Sequence, residues 1–263
     1  MLGAIMGDII GSAWELDGHK SVEFPLITRD SHFTDDTVLT VATASALLRG
    51  TPYADAYYEY GNRYPRAGYG GSFRAWLASE ERAPYGSWGN GSAMRVSPVG
   101  WARSTVEEVL EEAERSAEVT HDHPEGIRGA QAVALAVFLA RTGSTKAEIR
   151  DAIRHRIGYP LDRTVDEIRP GYHFDVSCQG SVPEAITAFL ESDDFKHAIR
   201  LAVSLGGDAD TQAAIAGGIA EAFYGDIPWE FAQEALERVP GEFRETVLEF
   251  RSRFMPVSRP GAG

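Results

Sequence analysis

The chain has 263 residues, 43% of them apolar and 24% charged, a balance that fits a folded globular protein and excludes a disordered or fibrous one. Acidic residues outnumber basic ones by 39 to 25, a formal net charge of −14, which is the wrong sign for gripping free nucleic acid through many phosphates. One cysteine, Cys178, excludes an internal disulfide.

The single thiol fits a reducing cytoplasm, so a cytoplasmic location is expected. The longest uncharged apolar stretch, near Gly129 to Ala140, is shorter than the roughly 20 residues that cross a bilayer, so no membrane span is expected. Met1 to Trp14 is apolar but carries Asp8 with no basic residue before it, which does not read as a secretory signal.

Apolar residues recur at spacings of three and four, with breakers between the runs. They predict helices over Gly3 to Trp14, Asp35 to Leu48, Pro52 to Tyr60 and Thr105 to Ala117. Ser104 with Glu107 gives the last of these a capping-box start. Further helices are predicted over Pro124 to Arg141, Thr145 to Ile157, Pro183 to Glu191, Asp194 to Ser204, Thr211 to Tyr224, Trp229 to Val239 and Glu242 to Phe254. Loops are expected at Asp17 to Phe33, Arg63 to Gly71, Arg82 to Ser92 and Ile157 to Gly180. Convincing two-residue alternation is scarce, so the expected class is all-α, a single domain over residues 1–255 with a loose Pro- and Gly-rich tail at 256–263.

Two helix starts are unusually rich in oxygen ligands. Thr34-Asp35-Asp36-Thr37 opens one apolar helix, and Gly207-Asp208-Ala209-Asp210-Thr211 opens another. Capping alone explains either motif, because Asp and Thr accept from free N–H groups at helix N-termini. It explains the pair less well, since a cap needs one acceptor and each start supplies two Asp and at least one Thr. Oxygen-only clusters suit hard cations such as Mg²⁺ or Mn²⁺, and four carboxylates carry enough charge for two ions. In the first helix Gly3, Gly7, Gly11 and Glu15 recur every four residues, leaving a low face for a neighbouring helix and aiming Glu15 along it.

Gly68-Tyr69-Gly70-Gly71 and Gly86-Ser87-Trp88-Gly89-Asn90-Gly91-Ser92 form glycine-rich loops. Such loops are either simple turns or backbone cradles for a phosphate, and neither is a P-loop. His121-Asp122-His123 precedes Pro124. Without thiolate partners it reads as a helix cap, or as a His121 contact to a phosphate or ribose, rather than as a zinc site. Cys178 reads as a buried small side chain. Tyr53, Tyr57, Tyr58 and Tyr60 read as packing on one short helix.

Gly7-Asp8 through Glu15, Phe33 to Thr37, Gly89 to Arg95, Thr120-His121 and Gly206 to Thr211 together resemble, in order, the motifs of the ADP-ribosylglycohydrolases. That family includes dinitrogenase reductase-activating glycohydrolases, and the resemblance spans about Met1 to Tyr224. It implies an all-α fold with a binuclear Mg²⁺ or Mn²⁺ site in a cleft for ADP-ribose. By position it implies that Thr34, Asp35, Asp36, Asp208, Asp210 and Thr211 hold the two ions, and that Glu15 is the acid beside them. Gly68, Gly70, Gly71, Gly86, Ser87, Trp88, Asn90 and His121 match positions that contact the diphosphate and riboses. Trp88 stands where a relative carries Tyr, which keeps an aromatic wall and a donor but loses a phenol acceptor. Tyr172 and Phe174 are candidates for the adenine platform.

The expected reaction is hydrolysis of the glycosidic bond between ADP-ribose and an acceptor, either a protein side chain or a small molecule. Glu15 or Asp36 would handle the proton of the attacking water. The alternatives are a metal-dependent nucleotide pyrophosphohydrolase and a catalytically inactive ADP-ribose-binding protein. A monomer is expected.

Overall fold

A computed structural model describes residues 1–255 other than Leu16, Asp226 and Pro228, so the expected tail at 256–263 lies outside the described residues. In chain order the helices are α1 (Leu2–Gly11), α2 (Asp35–Arg49), α3 (Tyr53–Arg63), α4 (Gly71–Ala78), α5 (Gly91–Met94), α6 (Ser97–Ala102), α7 (Val106–Glu118) and α8 (Pro124–Arg141). They continue with α9 (Lys146–Ala152), α10 (Val165–Ile168), α11 (Cys178–Glu191), α12 (Phe195–Val203), α13 (Ala209–Tyr224), α14 (Trp229–Glu237) and α15 (Gly241–Phe254). Among the described residues there is no strand, only an isolated antiparallel bridge between Gly89 and Ser177. No described helix is long and apolar enough to cross a membrane.

The helix α13 is the axis of the molecule. Apart from Asp210, Thr211, Gln212 and Glu221 its sequence is apolar or small from Ala209 to Phe223, and it is buried from Ala209 to Ala222, as expected of a helix enclosed by others. It packs against α1, α8, α11 and α12. The α1–α13 approach depends on the glycine stripe. A Cβ on Gly7 would lie 2.0 Å from the Ala213 carbonyl oxygen, and one on Gly11 would lie 2.3 Å from that of Ala209. All ten residues of α1 are buried. The stripe therefore does what its spacing predicts, bringing two backbones close enough to exclude any side chain between them.

Several boundaries differ from the sequence pattern. The first helix ends at Gly11, not Trp14, and Glu15 lies in the turns that follow. There the Ser12 hydroxyl donates to Ile9 O and accepts from His32 N, the kind of local side-chain bond that competes with a continuing helix. The capping box of α7 is Thr105 with Glu108, one residue later than Ser104 with Glu107. The helix predicted from Pro183 starts at Cys178, where Ser177 caps it, and Pro183 lies inside. The predicted Thr145 to Ile157 helix closes as a π-turn over Ile153–Ile157. The helices α4, α5, α6 and α10 were not predicted, because four to eight residues are too few to display a period.

Side chains fasten the long loops that surround the head of α13. Arg200 donates to the carbonyls of Val22 and Phe24 at 2.7 and 2.8 Å. Lys20 donates to the carbonyls of Tyr172, at 2.6 Å, and Leu205. The loop after α1 is thus tied both to α12 and to the segment preceding α11.

Candidate active site

The start of α2 is built on Asp8, a carboxylate buried in the middle of α1. Asp8 Oδ2 accepts from the backbone N–H of Thr34 at 2.9 Å and of Thr37 at 3.0 Å, and from the Thr37 hydroxyl at 2.5 Å. Asp8 Oδ1 accepts from the Thr34 hydroxyl at 2.7 Å. Thr34 also caps the helix through Asp36 N. Capping is therefore done by Thr34 and Asp8, which leaves the carboxylates of Asp35 and Asp36 without that task. Asp8 is not among the residues that the sequence motifs single out as ligands. The available signal was a lone charge in an otherwise apolar ten-residue helix.

At the start of α13, Asp208 occupies the N-cap position, yet its side chain makes no capping bond. It accepts instead from the side-chain amide of Asn90 at 2.7 Å, and the same amide nitrogen donates to Ser181 Oγ. The Thr211 hydroxyl lies 3.4 Å from Asp36 Oδ2, joining the two helix starts across 175 residues of chain. Oxygen atoms of Asp8, Asp36 and Asp210 lie within 4.8 Å of one another, as do those of Glu15, Asp208 and Asp210. Asp210 belongs to both groups.

So many carboxylates in one place oppose one another's ionisation. Burial and the neighbouring Asp210 raise Asp8 to about 7, against the donors of Thr34 and Thr37 that stabilise its charge. The same two causes raise Asp35 to about 8 and hold Asp36 and Asp208 well above the usual carboxylate range. Glu15, half-buried, is pushed up to about 6 by burial and by Asp210, partly offset by His32. These are the marks of a site short of positive charge. Asp36 Oδ1 is buried with no hydrogen-bond partner, an expensive arrangement unless a cation takes the lone pair. The donors are all hard oxygens from carboxylates and hydroxyls, the set that Mg²⁺ and Mn²⁺ prefer, so the residues present fit such ions.

The cluster opens into a cleft of about 410 Å³ lined by Glu15, Asp35, Asp36, Asp208, Asp210 and Thr211, and also by Gly68, Gly70, Gly71, Ser87, Asn90 and His121. Gly68 has φ +101°, and a Cβ there would sit 3.3 Å from Asp35 Oδ1, so both the turn and the space beside the carboxylate call for glycine. Four sequence candidates, Thr34, Gly86, Trp88 and Tyr172, lie off the lining. Thr34 is beneath it, bonded to Asp8. Gly86 gives its N–H to Asp122 Oδ1 at 2.7 Å. Trp88 is 49% exposed, and its carbonyl accepts from Cys178 N. Phe174 lines the cleft and is 52% exposed. Tyr172 packs on Gly207 and donates its hydroxyl to Gly180 O, away from the lining. His123 caps α8, as the cap reading of that motif has it.

Residues 1–260 match the family model described as ADP-ribosylglycohydrolase. The chain belongs to the ADP-ribosylglycohydrolase family. Members of that family are hydrolases acting on glycosidic bonds of ADP-ribose, and this ADP-ribosylglycohydrolase is an enzyme of that class. It is 27% identical to the ADP-ribosylhydrolase ARH3 of Mus musculus, over 90% of this chain and 87% of the mouse protein. It is 30% identical to the ADP-ribosylarginine hydrolase Tri1 of Pseudomonas putida over 58% of this chain and 47% of that protein. Among solved structures it resembles a chain of an ADP-ribosylglycohydrolase-related protein complex, with a TM-score of 0.73 and 25% identity, covering 95% of this chain and 96% of the other. The all-helical fold expected from the sequence is that of the family.

Proposed function

We propose that this ADP-ribosylglycohydrolase is a metal-dependent enzyme that cleaves the N- or O-glycosidic bond joining the distal ribose of ADP-ribose to an acceptor. The observation that carries the reading is the convergence of the Asp36, Asp208, Asp210 and Glu15 carboxylates at one cleft, with Asp210 shared between the two groups. Thr34, Asp35, Asp36, Asp208, Asp210 and Thr211 would hold two Mg²⁺ or Mn²⁺ ions. The ions would supply fixed positive charge that binds ribose hydroxyls and makes water more acidic.

The remaining chemistry falls to side chains. Glu15 lies at the cleft and beside Asp208 and Asp210. It is the half-buried carboxylate of the cluster, raised by burial and by Asp210 in the ion-free site, and it stands where a water proton can be taken. Glu15 accepts a proton from the attacking water, hydroxide bonds to the anomeric carbon as the glycosidic bond breaks, the acceptor takes up a proton from solvent as it leaves, and Glu15 returns its own to solvent. Asp36 is more deeply buried and braced from Thr211 and Thr34, which favours a ligand role for it over proton transfer. The glycine loops and His121 would take the diphosphate and riboses, and Phe174 would meet the adenine end.

The test is to incubate the protein with Mn²⁺ or Mg²⁺ and proteins, peptides and small molecules ADP-ribosylated on Arg, Ser, a nucleobase or acetate, then weigh the products. Intact ADP-ribose from at least one acceptor is the expected product. AMP with ribose 5-phosphate identifies pyrophosphate cleavage instead, and binding without turnover in metal identifies an inactive receptor. Glu15→Gln is expected to lower kcat by a factor on the order of 10² or more while leaving ADP-ribose affinity close to wild type.

A further inference from the structure

At the wall of the cleft, three buried side chains form a directed chain of hydrogen bonds. Arg95 is fully buried, with its guanidinium 4.1 Å from the centre of the Tyr57 ring. Its Nη2 donates to Ser116 O at 3.0 Å and to the Thr120 hydroxyl at 2.9 Å. The Thr120 hydroxyl in turn lies 2.7 Å from His121 Nδ1. Thr120 is buried and His121 nearly so.

Direction follows from donor counting. A guanidinium can only donate, so the Thr120 oxygen must accept from it. The hydrogen bonds of the described residues give the Thr120 oxygen two side-chain partners, Arg95 Nη2 and His121 Nδ1, and of these only the imidazole nitrogen can accept. The one hydroxyl proton is then free to go to His121 Nδ1, making that nitrogen the acceptor and placing the ring proton on Nε2. On the other side of the ring, a Cβ on Gly91 would lie 3.1 Å from Nε2, and one on Gly89 would lie 3.7 Å away. Both glycines line the cleft, and Nε2 has no hydrogen-bond partner among the described residues. Burial and the nearby Arg95 charge hold His121 well below its usual range, so the imidazole is uncharged at neutral pH and its tautomer decides what it offers.

We propose that Thr120, oriented by Arg95, is a positioning residue that fixes His121 as the Nε2–H tautomer and so aims an N–H donor across the Gly89–Gly91 loop at an oxygen of the bound ligand. The proposal rests on the reading of the cleft as the ADP-ribose site. It gives His121 a defined part in it, a donor to phosphate or ribose oxygen that adds no charge. Thr120 does not line the cleft and acts only through the histidine, whereas Arg95 lines it and is fastened through Nη2 to Ser116 O and the Thr120 hydroxyl.

Histidine nitrogen spectra of the wild-type protein decide the tautomer directly, with His121 assigned by its loss in His121→Gln. The expected pattern is an unprotonated Nδ1 and a protonated Nε2. A protonated Nδ1 overturns the proposal whatever the enzyme does. Thr120→Val is expected to mix or invert the tautomers and to weaken ADP-ribose binding about tenfold by calorimetry, whereas Thr120→Ser keeps both the spectrum and the affinity. A Thr120→Val protein that melts like wild type, shows the same nitrogen shifts and binds ADP-ribose equally well also overturns it. If the wild-type protein does not bind ADP-ribose, the cleft reading and the ligand half of the proposal fall together, while the nitrogen shifts still show whether Thr120 sets the tautomer.

Discussion

The side-chain amide of Asn90 meets Asp208 Oδ2 at 2.7 Å, so a residue 118 positions earlier in the chain aims the carboxylate at the head of α13. Asn90 is itself held by its backbone N–H on Val176 O at 2.7 Å and by the Gly89–Ser177 bridge. Partners that orient a ligating carboxylate are commonly worth roughly 10–100-fold in metal affinity. Asn90→Ala is expected to weaken Mn²⁺ binding by that factor with little change in thermal stability of the chelated protein. Isothermal titration of wild type and variant checks it, and equal affinities would remove Asn90 from the site's support.

On the proposed metal reading, the carboxylate cluster would make the ion-free protein the less stable form. Ions that bind only the folded state stabilise it by about 2.7 kcal/mol at a concentration one hundred times Kd, which for a chain of this size is a rise of roughly 5–10 °C. Addition of Mn²⁺ or Mg²⁺ to chelator-treated protein should raise Tm by that amount, and Asp36→Asn should abolish most of the rise. A melting curve indifferent to chelator and metal would contradict the ligand assignment.

Close contact between α1 and α13 can be probed without touching the cleft. Gly7→Ala puts a Cβ 2.0 Å from Ala213 O, and forced overpacking of this kind costs about 1–3 kcal/mol. Gly171→Ala, where nothing lies within 4 Å, is expected to change stability by less than about 0.5 kcal/mol. Urea denaturation of the pair measures the difference, and equal midpoints would show that the stripe is not a packing device.

Glu221 sets an acid limit on stability. It is buried on α13, accepts from Gly3 N at 2.8 Å, and pairs with Arg251 and the Met1 amine. Burial opposes its charge, but the amine, Arg251 and the Gly3 donor prevail and hold it below the usual carboxylate range. A folded pKa below the unfolded one means that the unfolded chain binds more protons between the two values, so stability rises with pH there. The contribution is complete above the unfolded value of about 4.3 and is lost as pH falls through the folded one. Glu221→Gln is expected to lose roughly 3 kcal/mol at neutral pH, with the gap to wild type closing on acidification. A gap that stayed constant down to the acid transition would argue against the charged role.

Much of the site was legible because its elements are periodic or dense in one chemistry. The Thr34 to Thr37 and Gly207 to Thr211 segments stand out as oxygen clusters at helix starts, and the stripe of Gly3, Gly7 and Gly11 announces a close neighbour. What one-dimensional reading could not supply is which cap belongs to which helix. Thr34 caps while Asp208 does not, and only the position of Asn90 reveals it. Asp8 escaped because its partners, Thr34 and Thr37, are near only after α1 and α2 dock. Glu15 was expected on a helix and found in a turn, since a hydroxyl at Ser12 competes for the helix's last carbonyls. Short helices such as α5, which sets Gly91 to Met94 against the cleft, carry no period to read.

Because α1, α2 and α13 each contribute carboxylates, the acidic cluster is divided between the opening and the closing thirds of the polypeptide. A nascent chain that has emerged only through α12 owns Asp8, Glu15, Asp35 and Asp36 but lacks Asp208 and Asp210. On the proposed metal reading, tight capture would therefore be a late event in biosynthesis, available only after long-range docking is finished, and retention of added Mn²⁺ would serve as a simple gauge of whether the molecule has matured.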